Sequence, residues 1–313
     1  MNIVVLSKDF ELFKALITSQ LSDQAPEKYT LICATDAPQD IPFGQTQILL
    51  ADPKLANQII QKCENLVWVQ STWAGVNALI SNEKKNYHLT GLKNVFGAKM
   101  SEYVFAYLLY FSRNVAAFQN LQKQRLWRQA EFDSLSGKTL GIMGLGNIGQ
   151  AVAKTAIAFG MQIHGLSRNS TVAEASRTYK PEELLDFASS CDYIVNLLPE
   201  TSQTVGLCKQ DFFENMKPTA IFINAGRGGV IDSAQTLVDA LDNKQLRAAV
   251  IDVCEEEPLP KDHLFWQTDK LILTNHTAAL SSAEDVFDVF KQNLELYSQE
   301  QPLNYVVDKN KGY

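Results

Sequence analysis

Thr139-Leu140-Gly141-Ile142-Met143-Gly144-Leu145-Gly146-Asn147-Ile148-Gly149 is an apolar run that breaks into closely spaced glycines and continues into Gln150-Ala151-Val152-Ala153-Lys154. The pattern predicts a strand over 139–143 and a helix from Asn147 to Phe159. In that setting Gly144-x-Gly146-x-x-Gly149 can hold a dinucleotide. The first glycine makes the tight turn, the second lets the backbone approach a pyrophosphate, and the third lets helix and strand pack closely. The helix N-terminus, including the amides of Asn147 and Ile148, supplies backbone donors and the positive end of the helix dipole.

Outward from this turn, short apolar runs alternate with helical patterns. Downstream, strands are expected over 162–166, 193–197, 220–223 and 248–251, and a closing helix over about 282–298. Upstream, strands are expected over 3–6, 29–33, 48–51 and 66–69, with helices over 10–21 and 55–63. A Ser-capped run from Ser101 to about Arg125, rich in Tyr, Phe, Leu and Ala, reads as one long helix connecting two domains. Alternation of strands and helices implies parallel sheets covered on both faces. The expected fold is α/β: two doubly wound domains, one flavodoxin-like (1–99 plus 282–313) for substrate and one Rossmann-like (100–281) for coenzyme, with the active site in the cleft between them.

Composition narrows the function. The 313 residues suit two domains, and 46% hydrophobic content supplies ordinary cores. A net charge of −7 without a Lys/Arg cluster argues against a nucleic-acid surface and for a small-molecule ligand. Five scattered cysteines contain no Cys-x-x-Cys pair and read as reduced structural thiols, with no metal site expected. The start Met1-Asn2-Ile3-Val4-Val5-Leu6 lacks a basic signal region and no apolar run reaches bilayer length, so a cytoplasmic protein without a membrane partner is expected.

The second Rossmann strand reports on coenzyme choice. An acid about 20 residues beyond the glycine turn would take the ribose 2′-hydroxyl of NAD. Here the strand ends Gly165-Leu166-Ser167-Arg168, and no acid occurs between Asp133 and Glu174. Ser167 and Arg168 suit a 2′-phosphate instead, so NADP(H) is expected to be preferred, with NAD(H) possible.

Two further residues carry chemistry. Arg227, in Asn224-Ala225-Gly226-Arg227-Gly228, follows a strand's carboxyl end, where open α/β sheets bind ligands, and its guanidinium fork can hold a carboxylate and adjacent carbonyl together. A histidine suits proton delivery to such a carbonyl. Of the four, His276 follows the apolar run Leu271-Ile272-Leu273-Thr274, whereas His88 falls in a polar loop, His164 inside a strand and His263 after a Pro-rich loop.

These residues lie among others that together resemble the D-isomer-specific 2-hydroxyacid dehydrogenase family, and within it the glyoxylate/hydroxypyruvate reductases. The resemblance runs from Leu66-Val67-Trp68-Val69-Gln70-Ser71 and Gly75-Val76 through Met100-Ser101-Glu102-Tyr103 and Leu197-Leu198-Pro199-Glu200-Thr201. It continues through the Arg227 segment, Asp252-Val253, Glu257-Pro258-Leu259-Pro260 and Asn275-His276. It implies reduction of small 2-keto acids, with Arg227 as clamp, His276 as acid and Glu257, the member of the Glu255-Glu256-Glu257 triplet before the proline, as its partner. It also implies a substrate-carboxylate turn at Trp73, Ala74 and Gly75, coenzyme contacts at Leu198, Pro199, Thr204 and Ala225, and an Asp252 contact to the nicotinamide carboxamide. Two residues depart from the family pattern. Trp73 replaces a small residue and would narrow the pocket, and Asn275 replaces the usual proline, leaving the backbone before His276 freer. A homodimer is expected, since the apolar helix over 103–111 exceeds what one cleft needs. The other readings are a reductase of larger 2-keto acids and a dinucleotide-sensing scaffold or corepressor, for which an intact Arg, Glu and His set would be unnecessary.

Overall fold

Ile3-Val4-Val5-Leu6 and Ile221-Phe222-Ile223 are apolar at every position rather than at alternate ones, and each of these side chains is 0% exposed. Strands of this kind need helices on both faces. The structure, a computed structural model, describes residues 1–21, 28–168 and 173–309. The chain separates into two units, Met1–Val95 with Ser281–Tyr313, and Phe96–Leu280.

In the first unit the chain runs β1 (Asn2–Leu6), α1 (Phe10–Gln20), β2 (Thr30–Thr35), β3 (Ile48–Ala51), α2 (Pro53–Asn57), β4 (Trp68–Ser71), α3 (Asn77–Ile80) and β5 (His88–Thr90). The five strands are parallel in the order β2-β1-β3-β4-β5. The winding direction reverses between β1 and β3.

The second unit opens with α4 (Gly97–Ser112) and α5 (Val115–Lys123). It continues through β6 (Thr139–Met143), α6 (Asn147–Ala158), β7 (Gln162–Leu166), β8 (Arg177–Tyr179), α7 (Leu184–Ser190), β9 (Tyr193–Asn196), α8 (Gln210–Glu214), β10 (Ile221–Asn224), α9 (Ala234–Asp242), β11 (Ala248–Ile251) and β12 (Leu271–Leu273). Its seven strands are parallel in the order β12-β11-β10-β9-β6-β7-β8. The reversal here lies between β6 and β9, so the crevice of a doubly wound sheet falls at the glycine turn after β6 and at Leu197-Leu198 after β9.

Helix α10 (Ala283–Ser298) returns to the first unit. It starts where Ser282 accepts the Asp285 amide and Asp285 accepts the Ser282 amide, a capping box. Trp68 anchors it to the sheet: its ring stacks on Tyr297 at 5.8 Å and meets Phe290 at 5.3 Å. Such aromatic pairs contribute about 0.5–1.5 kcal/mol each beyond the area they bury.

The fold class is as the sequence implies, but some elements differ. The long helix expected over 101–125 is two helices, because Asn114 adopts a left-handed conformation (φ +52°) that ends one and begins the other. Asparagine tolerates that conformation better than most residues. The helix expected over 55–63 is only α2 and a 3₁₀ turn at Ile60–Lys62. His88 is not in a loop but opens β5, pairing opposite Trp68, and the edge strand β8 is too short to have shown in the apolar pattern. Helix α4 turns Val104, Phe105 and Leu108 into the core of its own unit, so the expected excess apolar surface is not there. It lies downstream, at Phe118, Leu126, Trp127 and Phe132.

Candidate active site

The turn after β6 has the geometry of a phosphate cradle. Gly144 sits at φ +101°, a conformation that L side chains rarely adopt, and a Cβ on Gly149 would lie 2.1 Å from the Gly144 carbonyl oxygen. Around Gly146, in contrast, nothing lies within 4 Å of where a Cβ would be. The first-turn amides of α6 have no acceptor within their own helix. Two fixed glycines, an open third and a helix start fit the diphosphate of a dinucleotide.

At the end of β7, Ser167 donates its amide to the Tyr179 carbonyl (3.0 Å), and the exposed Arg168 side chain rests on Gln203. Lys180, after the neighbouring β8, places its ammonium 2.8 Å from the Arg168 carbonyl. Two exposed cationic residues are therefore neighbours beyond the ends of β7 and β8, joined through the Arg168 carbonyl. Nothing in the sequence announces Lys180, because the three-residue strand β8 that positions it carries no apolar run.

Beyond β9 and β10, Asn196 and Asn224 are both 0% exposed. Asn196 donates to Asn224 Oδ1 (2.9 Å) and accepts from the Leu198 amide (3.2 Å), while Asn224 donates to the Arg227 carbonyl (3.1 Å) and accepts from the Gly226 amide (3.3 Å). One buried amide pair thus shapes both the Leu198-Pro199 loop and the Arg227 turn. A polar residue closing each of two otherwise apolar strands was the signal available in the sequence. Farther along, Thr204 Oγ1 donates to the Pro199 carbonyl at 2.6 Å and closes that loop. Ala225 is buried, and the side chain of the half-buried Arg227 donates to the Gly226 carbonyl (2.7 Å).

Gly228 lets the Arg227 turn lie against the segment that carries Glu257: a Cβ there would stand 2.0 Å from the Cys254 carbonyl carbon. Glu257 Oε1 accepts the Cys254 amide (3.0 Å), and Oε2 meets His276 Nδ1 at 2.7 Å. Glu255 and Glu256 are exposed, and neither forms an ion pair with His276. Burial raises the Cys254 thiol to about 11, with Glu257 and Asp252 adding to the effect, so it stays protonated beside this pair.

His276 itself adopts φ +55°. The chain holds it there through Asp252, which is 3% exposed. The Asp252 carbonyl accepts the His276 amide (2.8 Å), and its carboxylate accepts the Thr277 amide (2.9 Å), the Ala278 amide (3.0 Å) and the Thr274 hydroxyl. Because Thr274 spends its proton on Asp252, the Tyr103 hydroxyl must be the donor in its 2.8 Å contact with Thr274. The backbone around His276 is therefore fixed without the proline that Asn275 replaces, contrary to the freedom expected of that substitution. Asp252 is first of all the anchor of this loop.

The other histidines serve structure or lie exposed. His164 contacts Ser190 Oγ at 2.8 Å, and burial, then Arg177 and Lys217, lower its pKa. His263 accepts the Phe265 amide at the start of a 3₁₀ turn, and His88 is exposed.

In the first unit, the turn after β4 is closed by Ser71, whose Oγ accepts the Trp73 amide (3.0 Å) and donates to the Trp73 carbonyl (2.7 Å). Trp73 and Ala74 are exposed and Gly75 is half-buried. Among the described residues, no group of three or more His, Cys, Asp or Glu could hold a metal, and no helix is long and apolar enough to cross a membrane.

Residues 105–278 match the model of the D-isomer specific 2-hydroxyacid dehydrogenase NAD binding domain. The chain belongs to the D-isomer-specific 2-hydroxyacid dehydrogenase family. It is 31% identical over 249 residues to a glyoxylate/hydroxypyruvate reductase A of Serratia proteamaculans, covering 77% of this chain and 79% of that protein. A crystal structure of a family member from Aeromonas salmonicida superposes with a TM-score of 0.91 at 36% identity, covering 98% of this chain and 99% of the other. An NADPH-dependent glyoxylate/hydroxypyruvate reductase from Sinorhizobium meliloti, solved with NADP and sulfate, superposes at 0.83 with 27% identity, covering 100% and 99%. The chain is thus an NAD(P)-dependent 2-hydroxyacid dehydrogenase by family.

Proposed function

We propose that this dehydrogenase reduces glyoxylate and hydroxypyruvate to the 2-hydroxy acids, with NADPH preferred over NADH. The observation that carries the reading is the 2.7 Å contact between His276 Nδ1 and Glu257 Oε2, on a segment packed against the Arg227 turn. With Nδ1 committed to the carboxylate, Nε2 is the ring nitrogen left to meet a substrate oxygen.

The chemistry follows from these groups. Arg227 holds the carboxylate and carbonyl of the keto acid in one plane, and the Ala74 and Gly75 amides take the carboxylate from the Trp73 turn. NADPH, when bound at the glycine turn, supplies the hydride. His276 gives its Nε2 proton to the carbonyl oxygen as charge develops there, and Glu257 orients the ring and stabilises the imidazolium. The names of the Serratia and Sinorhizobium relatives support the substrate class. Steady-state rates over a panel of 2-keto acids with either coenzyme test it. Fastest turnover of a larger keto acid would replace these substrates, and absence of turnover with every acid would favour the sensing role.

Arg168 and Lys180 support the coenzyme preference. Arg168→Ala should raise KM for NADPH about tenfold, the loss of a charge-assisted bond, and leave KM for NADH near its parental value. Equal losses with both coenzymes would contradict the assignment.

The same reading includes a homodimer. Trp127 is 106% exposed, with Phe132 at 57% and Leu126 at 49% beside it, an apolar surface of the kind that interfaces cover. Sedimentation as a monomer at micromolar concentration would rule it out.

A further inference from the structure

Asp52 has the sequence position of a helix cap, directly before Pro53 at the start of α2, yet its side chain caps nothing. The carboxylate turns instead toward the neighbouring strand ends. It accepts the Ser7 hydroxyl (2.8 Å) and Lys8 amide (3.0 Å) beyond β1, and the Thr72 hydroxyl beyond β4. Ser7 is 1% exposed, Thr72 3% and Asp52 4%. These groups occupy the point where the winding of the five-stranded sheet reverses. There a doubly wound sheet opens a crevice at its carboxyl edge. An ionised side chain buried in that crevice is retained only with its donors in place.

Thr72 is gripped at every polar atom. Its amide donates to the Ala51 carbonyl (3.1 Å), its hydroxyl to Asp52, and its carbonyl accepts from Ser281 (3.2 Å). Trp73 is then held through both backbone groups by Ser71. The next amides, those of Ala74 and Gly75, donate to no acceptor among the described residues. Thr72, tied at every polar atom, and Trp73, tied through its backbone, thus precede two free donors.

We infer that Asp52, acting through Thr72, is the positioning residue that holds the Trp73-Ala74-Gly75 turn in the shape that takes the carboxylate of the keto acid. This rests on the function proposed above. Thr72→Val keeps the shape of the side chain and removes the hydroxyl, and Thr72→Ser restores it. Asp52→Asn places amide hydrogens where two hydroxyls and an amide now donate.

The experiment is a comparison of KM for glyoxylate and for NADPH in the parent, Thr72→Val, Thr72→Ser and Asp52→Asn enzymes. Thr72→Val should raise KM for glyoxylate about tenfold, the loss of one hydrogen bond to a charged group, with KM for NADPH unchanged. Thr72→Ser should recover most of the loss, and Asp52→Asn should match or exceed Thr72→Val. A folded Thr72→Val enzyme with parental KM for glyoxylate, or one in which both KM values rise together, would overturn the inference while leaving the function intact. A parent enzyme that turns over no keto acid would overturn both.

Discussion

Replacing His276 with alanine should lower kcat for keto-acid reduction by about 10²- to 10⁴-fold, the usual worth of a positioned general acid. NADPH binding should survive, because the glycine turn after β6 is built from β6, α6 and the Leu197 backbone, whereas the His276 ring is bonded to Glu257. The fold should survive too. His276 is 54% exposed at its side chain, and the loop around it is fixed by Asp252 through backbone groups that alanine retains. Alanine will be less comfortable at φ +55°, so a small drop in Tm is expected. Coenzyme titration by fluorescence, alongside kcat, separates the two effects. A variant with near-parental kcat, or one that no longer binds NADPH, would remove His276 from the role of acid.

Arg227→Lys should lose about 100-fold in kcat/KM, although it conserves charge. An ammonium is a point donor on a flexible stem and cannot present two parallel N–H groups to a carboxylate and carbonyl. Misplacement of a bound substrate by about 1 Å can cost that much. Thermal stability should hardly change, since Arg227 is half-buried and its guanidinium bonds to the carbonyl of the adjacent Gly226. Retention of most of the kcat/KM by the lysine variant would show that Arg227 supplies only charge.

The parts of this molecule that sequence reveals are those whose physics is local. A parallel strand buried on both faces must be apolar throughout, so β1, β3, β6 and β10 stand out. A glycine at φ +101° beside one pressed against a carbonyl oxygen leaves the spacing Gly144, Gly146, Gly149 as its trace. The break at Asn114 was hidden because tyrosines, phenylalanines and leucines keep helical spacing on both sides of it, and one left-handed residue has no periodicity. Long-range pairings were equally silent. Asp52 reads as a helix cap and is a strand-end anchor, and nothing near Asn275 announces that Asp252 holds the loop its missing proline would have stiffened. Glu257 is distinguished from Glu255 and Glu256 in three dimensions by its reach to His276 and to the Cys254 amide.

The central claim is that the His276–Glu257 pair is the proton donor, and kcat for reduction in Glu257→Gln compared with Glu256→Gln tests it most directly. Glu257 Oε2 lies 2.7 Å from His276 Nδ1 and Oε1 holds the Cys254 amide, so this carboxylate orients the ring whose Nε2 faces the substrate oxygen. Glutamine keeps the size of the side chain and removes the anion, so kcat should fall by about 10²-fold or more with KM for NADPH unchanged, whereas Glu256→Gln should keep the parental kcat. A parental kcat in Glu257→Gln, or a loss in Glu256→Gln instead, would contradict the account.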